Sequence, residues 1–154
     1  VRNEDDPDRA LEINIHCTAP QAIDLSHGTA DLEQLVPDLG LDELYPSVTG
    51  RKFPLFVSSP LFETTTFRIH LPDGVQIVRR PEDFRAQSEF GAYSVTFREP
   101  SAGVLEIKRS FDVPVQVIDP GKLTAFANFE SQVERAEQQR VGLAIDRTLA
   151  RAGQ

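Results

Sequence analysis

His16 stands beside Cys17, the one cysteine of the chain, and an imidazole next to a thiol is the pairing from which cysteine nucleophiles are made. Histidine would take the thiol proton and leave a thiolate. The surrounding pattern works against this. In LEINIHC, Leu11, Ile13, Ile15 and Cys17 fall on one face of a strand, and Glu12, Asn14 and His16 on the other. Neighbouring strand side chains diverge, and reach between base and nucleophile comes before any argument about proton affinity. Cys17 is therefore expected as a buried thiol on a half-buried strand that Pro20 ends, and with no second cysteine an internal disulfide is excluded.

The remaining candidates are weaker. His16, His27 and His70 show no HxH or HExxH spacing, and His70 falls on the solvent side of its strand, opposite Ile69 and Leu71. None of the nine glycines forms a phosphate-binding GxGxxG or GxxxxGK[ST] loop. Carboxylates gather at Asp5-Asp6, Asp42-Glu43 and Glu82-Asp83, all in polar connections where a solvated acidic surface is the expected role. Glu4, Asp5, Asp6 and Asp8 could offer oxygens to calcium, yet the EF-hand order and its turn glycine are missing. The sequence thus assigns no catalytic residue, no cofactor-binding residue and no metal ligand, and it predicts no cofactor.

The elements that hold these residues are mostly strands. Within RKFPLFVSSPLFETTTFRIHLPDG, which opens at Arg51, the residues Phe53, Leu55 and Val57 share one face, and Phe67, Ile69 and Leu71 share another. Pro54 demands an edge position or an irregularity because it cannot donate to a ladder. Pro72-Asp73-Gly74 reads as a hairpin turn from a strand over Glu63 to Leu71 into one over Val75 to Arg79. Pro81 to Ser88 is polar with one apolar anchor, Phe84. A further strand follows at Ala92 to Arg98, and Pro100-Ser101-Ala102-Gly103 turns the chain back.

From 104 to 118, Leu105, Ile107, Phe111, Val113, Val115 and Val117 all share one parity, and Arg109 falls on the same apolar face. A buried guanidinium needs a partner, so either a bulge near Arg109 resets the register or a carboxylate meets it. Pro114 makes the second half an edge strand. Asp119-Pro120 then opens a helix, with Asp119 as N-cap and Pro120 at the first helical position. Phe126, Phe129, Val133 and Ala136 form its apolar stripe, opposite Asn128, Glu130, Gln132 and Glu134. Val141, Leu143 and Ile145 return the chain as a short final strand, and Gly142 argues against helix continuation. Between Asp24 and Thr49 one or two helical turns are expected, with Leu32, Leu35 and Val36 at helical spacing and Asp31 as cap.

A chain of 154 residues is about one domain long and can bury a real core. The expected division is a linker over 1–9, a single β-sandwich domain over 10–146 with its helix at about 120–139, and a polar tail over 147–154. The expected class is mainly β: an antiparallel sandwich of immunoglobulin or fibronectin type with one amphipathic helix near the C-terminus. A formal net charge of −8 and scattered arginines, with Arg79-Arg80 followed at once by Glu82 and Asp83, make nucleic acid and anionic membrane poor partners. No apolar run approaches the ~20 residues that span a bilayer, so no membrane insertion is expected. The chain lacks methionine, position one included, which predicts a piece of a longer chain or a processed product.

One ordered series carries more than any single motif: LEINIHCTAP, SHGTADL, RKFPLFVSSP, FRIHLPDGVQIVRRPED, FGAYSVTF, the basic pair Lys108-Arg109, and DPGKLTAFANFESQVERAEQQRVGLA. Together it resembles the C-terminal β-sandwich of unknown function that follows the transglutaminase-like core in bacterial extracytoplasmic multidomain proteins. Leu123 stands where that family's helix usually carries a tyrosine. The resemblance implies a non-catalytic accessory or protein-interaction module that packs on or supports the core domain of a larger envelope protein, placed in the periplasm or cell envelope. The upstream transglutaminase-like domain, and another envelope protein, are then the expected partners. It carries over no catalytic residue, because neither Cys17 nor any histidine has the setting of the core's Cys-His-Asp residues. Two other readings remain: an adhesion or ligand-binding sandwich of the envelope, and part of a cysteine protease or transglutaminase whose active core lies elsewhere.

Overall fold

The computed structural model describes residues 1–6, 8–19, 23–33, 36–37, 39–40 and 50–145. In chain order the strands are β1 (Thr29–Leu32), β2 (Leu55–Val57), β3 (Leu61–His70), β4 (Val75–Arg79), β5 (Phe84–Ser88), β6 (Gly91–Ser101), β7 (Val104–Val113) and β8 (Gln116–Ile118). A 3-10 turn (Pro120–Lys122) leads into helix α1 (Leu123–Glu137), and β9 (Val141–Ile145) follows. The strands form antiparallel sheets of order β3-β7-β6-β5, β1-β9-β4 and β2-β8. The molecule is mainly β, with one helix towards the C-terminus, consistent with the sandwich expected from the alternating pattern.

The large sheet is built from two consecutive hairpins. Ser88 faces Gly91 across the β5–β6 turn, and Ser101 faces Val104 across β6–β7. Gly91 is fixed by space: a Cβ there would lie 2.3 Å from the backbone oxygen of Asp112. The inner face of this sheet carries Tyr93, Val95 and Phe97 from β6 and Leu105, Ile107, Phe111 and Val113 from β7, all buried. Helix α1 lays Phe126, Phe129, Val133 and Ala136 into the same core, as the stripe predicts. Phe111 and Phe129 stack with centroids 6.5 Å apart, and Phe90 meets Phe126 edge-on at 5.4 Å.

Several expectations are corrected. Pro72-Asp73-Gly74 does turn the chain, with Gly74 at φ 77° and the Val75 N–H donating to Pro72 O. It makes no hairpin, however, because β3 pairs with β7 and β4 with β9, so the turn carries the chain from one sheet to another. The polar stretch before Gly91 contains a strand, β5. Asp31 and Leu32 belong to β1, paired with Gly142 and Val141, where helical spacing had been read. Leu35 and residues 41–49 of that stretch lie outside the described residues, as do Pro20, Asp42-Glu43 and residues 147–154. Asp119 makes no side-chain cap; its backbone oxygen accepts from the Lys122 N–H at 2.9 Å, and the α-helix starts only at Leu123.

The parity of the long strand breaks as well, but not at Arg109. The β3–β7 ladder runs in register from His70–Val104 to Leu61–Val113. Beyond it, Ser58-Ser59-Pro60 on one strand faces only Pro114-Val115 on the other before pairing resumes at Val57–Gln116. That unequal count is a bulge, and it turns the side chains over. Ile118 becomes the buried residue, while Val115 and Val117 face solvent. Pro114, lacking an N–H, sits at the break.

Leu11 to Cys17 also departs from expectation. The segment is solvent-exposed and lies outside the named strands, its backbone pairing among the described residues is the isolated Arg2–Glu12 bridge, and Cys17 is an exposed free thiol. Its apolar face meets no sheet among the described residues.

Candidate functional site

Arg109 is the most constrained polar group in the molecule. Its residue is 3% exposed, on the inner face of β7 among apolar side chains. The register brings Thr65 opposite it and Glu63 diagonally beside it. Arg109 Nη2 donates to Glu63 Oε1 at 2.5 Å, and Nη1 donates to Glu137 Oε2 at 2.9 Å and to the Pro37 carbonyl at 2.6 Å. Its guanidinium carbon lies 6.0 Å from the Phe67 ring centroid. The carboxylate alternative therefore holds, and it holds twice. The Tyr93 hydroxyl donates to the other oxygen of Glu137, and Thr65 Oγ1 donates to Glu63 at 2.6 Å. One cluster thus ties β3, β6, β7, α1 and the Pro37 loop together.

The proton affinities follow. Burial disfavours the charged guanidinium, yet its hydrogen bond to Glu63 and the charges of Glu137 and Glu63 outweigh it, so Arg109 is raised above its usual value. Burial likewise pushes the Glu63 carboxyl up, but Thr65 and Arg109 hold it below the ordinary carboxylate range. The Tyr93 phenol is pushed up, first by burial and then by its bond to Glu137. Arg109 Nε is buried without a hydrogen-bond partner among the described residues, but both terminal nitrogens of the guanidinium and both carboxylates are paired, which makes the cluster a clamp rather than a centre for proton transfer.

Glu130 is the opposite case. It projects from α1 at a position expected to face solvent, yet it is 8% exposed and its Oε1 has no hydrogen-bond partner among the described residues. Burial, followed by the charge of Glu134 one turn on, raises its carboxyl to about 7.

The sequence-named chemistry is scattered. His16, Cys17, His27 and His70 are all exposed. No group of three His, Cys, Asp or Glu side chains suited to a metal ion occurs among the described residues, and no described helix is long and apolar enough to cross a membrane. Asp83, read as free acidic surface, is paired: it accepts from Arg98 at 2.7 and 2.9 Å and from the Phe97 N–H at 3.0 Å, which keep its carboxyl low. Arg79 is likewise held by Asp31 at 2.6 Å. An open depression of about 540 Å3 is lined by Ile77, Val78, Pro81 and five charged residues, Arg80, Glu82, Asp83, Arg98 and Glu99, of which Asp83 and Arg98 pair with each other.

What the sequence did not reveal is an apolar surface. Past the bulge, Phe56 and Val117 face each other directly across the β2–β8 ribbon, 69% and 56% exposed, while Leu55, Val57 and Ile118 fill the core from its other side. Phe53 and Val115 are exposed nearby in the chain, so the face that Phe53 was expected to share with Leu55 and Val57 is not buried at Phe53. The clue was the proline at the strand break, which marks where parity is lost.

Residues 32–143 match the model of the DUF3858 family, described as a domain of unknown function with a solved structure, and the chain belongs to that family. Comparison with curated proteins and with solved structures gave no match. The matched span runs from the end of β1 into β9 and takes in Arg109, its partners and the β2–β8 ribbon. The match brings no catalytic residue with it.

Proposed function

We propose that this chain is a non-catalytic accessory domain that packs on, or supports, a transglutaminase-like core in a larger bacterial envelope protein. The observation that carries the reading is the outer face of the β2–β8 ribbon, where Phe56 and Val117 form a directly paired, exposed apolar surface. Membership of the DUF3858 family and the order of motifs from LEINIHC to the DPGKLTAF helix support it. Catalysis then belongs to the parent's core, and this domain gives it a rigid wall held by the Arg109 clamp. An extracytoplasmic location and a partner surface of protein rather than anionic polymer belong to the same reading, the latter supported by the net charge of −8.

The test is co-expression with the parent protein's transglutaminase-like domain. Stable co-purification is expected, and Phe56→Asp with Val117→Asp should abolish it while leaving the thermal midpoint of the isolated chain unchanged. Failure of the unaltered chain to associate, or association indifferent to both substitutions, overturns the reading. The chain alone should stay at background in peptide-hydrolysis and amine-crosslinking assays; activity removed by Cys17→Ala would overturn the non-catalytic assignment.

A further inference from the structure

The two edges of the large sheet are treated differently. At one edge β5 is short and helix α1 packs against it. At the other, β3 runs for 10 residues, LFETTTFRIH, with no proline, glycine or lysine, and no described strand pairs with its outer side. Such an edge is a template for strand addition. Its inward row, Leu61, Glu63, Thr65, Phe67 and Ile69, is only half-buried even though Leu61, Phe67 and Ile69 pack against the core. The core is thus open along this side.

The chain also carries a strand pattern with no sheet among the described residues. Leu11, Ile13 and Ile15 alternate with Glu12, Asn14 and His16, and Ile15 is 84% exposed. Laid beside β3 with its apolar side inward, this segment would continue the row of Leu61, Phe67 and Ile69, and its polar side would continue that of Thr64, Thr66 and Arg68. We propose that residues 11–17 add to the outer edge of β3 in a second copy of this chain, each copy donating one strand and accepting one. The second copy is favoured over the same chain because every residue from Leu11 to Ala19 is exposed, clear of its own core; the Arg2–Glu12 bridge occupies only one edge of the segment, and no described strand pairs with the outer edge of β3. A two-fold arrangement satisfies both edges of both copies at once. The proposal does not rest on the transglutaminase-like reading, and it uses a surface other than the β2–β8 ribbon.

The test is sedimentation of the full chain across a concentration series, with hydrogen exchange read at both segments. A concentration-dependent dimer is expected, with amides of residues 11–17 and of β3 protected only in the dimer. Ile13→Pro removes a donor from an exposed position outside the core and should weaken dimerisation about tenfold or more. Ile15→Lys, which keeps the backbone donor, should weaken it less. A chain that stays monomeric at all concentrations overturns the proposal, as does a dimer indifferent to Ile13→Pro. Protection of both segments in a monomer would place the strand on its own domain and overturn the second-copy assignment.

Discussion

Arg109 and Glu130 are both charged residues swallowed by the same core, yet only one has been given company. Arg109 has two carboxylates, a carbonyl and an aromatic face arranged around it, drawn from separate parts of the chain. Glu130 has a buried oxygen without a partner and a like charge one helical turn away. A buried ion stabilises a fold only when its partners are built with it; otherwise the group gives up its charge. The difference teaches that burial alone does not tell a clamp from a strain. The partners do.

The comparison breaks most visibly at Arg109. Arg109→Ala leaves Glu137 buried without its cation and should cost about 3–5 kcal/mol in urea unfolding. Replacing Arg109, Glu63 and Glu137 together by apolar residues of similar volume should recover most of that loss. If Arg109→Ala alone unfolded at the parent's midpoint, the cluster would not be a clamp.

Glu130→Gln tests the other side, with the opposite sign. The carboxyl titrates near 7 when folded and near its ordinary 4.5 when unfolded, so no penalty exists below about pH 4.5. The penalty grows as pH rises from 4.5 to 7 and is constant above that. Glu130→Gln should therefore stabilise the protein by about 2–3 kcal/mol at pH 8 and leave it unchanged at pH 4. A stability gain independent of pH would show that charge is not the cause.

Smaller effects sharpen the contrast. Tyr93→Phe removes one hydrogen bond to Glu137 but leaves Arg109 in place, and should cost about 1.5–2 kcal/mol by thermal unfolding. Arg98→Ala breaks a two-pronged pair with Asp83 at the surface, where solvent screens both partners, and should leave the midpoint within experimental scatter. A loss there as large as that for Arg109 would mean that geometry rather than burial sets the value of these pairs.

Much of this was legible from the chain. Alternation located most of the long strands, the three-and-four spacing of Phe126, Phe129, Val133 and Ala136 located the helix, and the parity of Arg109 flagged a buried cation before any partner was visible. Which carboxylates would answer it was not legible, because Glu63 and Glu137 reach it through β-pairing and helix docking, both long-range. Glu130 was misread since helical periodicity gives a face, not the depth to which that face is sunk. The Val115 and Val117 flip was hidden because Val113, Val115 and Val117 keep one parity in the sequence, and only the count of residues facing each other across the bulge exposes it. β1 lost to a helical reading because a four-residue strand is too short for alternation to outweigh the helical spacing of Leu32, Leu35 and Val36. For the exposed Leu11 to Cys17 segment the alternation was real, but pattern cannot supply a neighbour.

The last described strand is the middle strand of its sheet: β9 lies between β1 and β4, with Val141 and Leu143 wholly buried. Synthesis from the N-terminus therefore delivers the two flanking strands long before the one that joins them. Until Val141–Ile145 emerges, β1 and β4 have no partner in that sheet, and closing it links Thr29 to Ala144 across nearly the whole domain. Folding of this half is governed by a late, long-range event, which slows it and leaves nascent edges open to other chains. A ribosome stalled just short of Val141 would hold a large sheet that can pair and a small one that cannot.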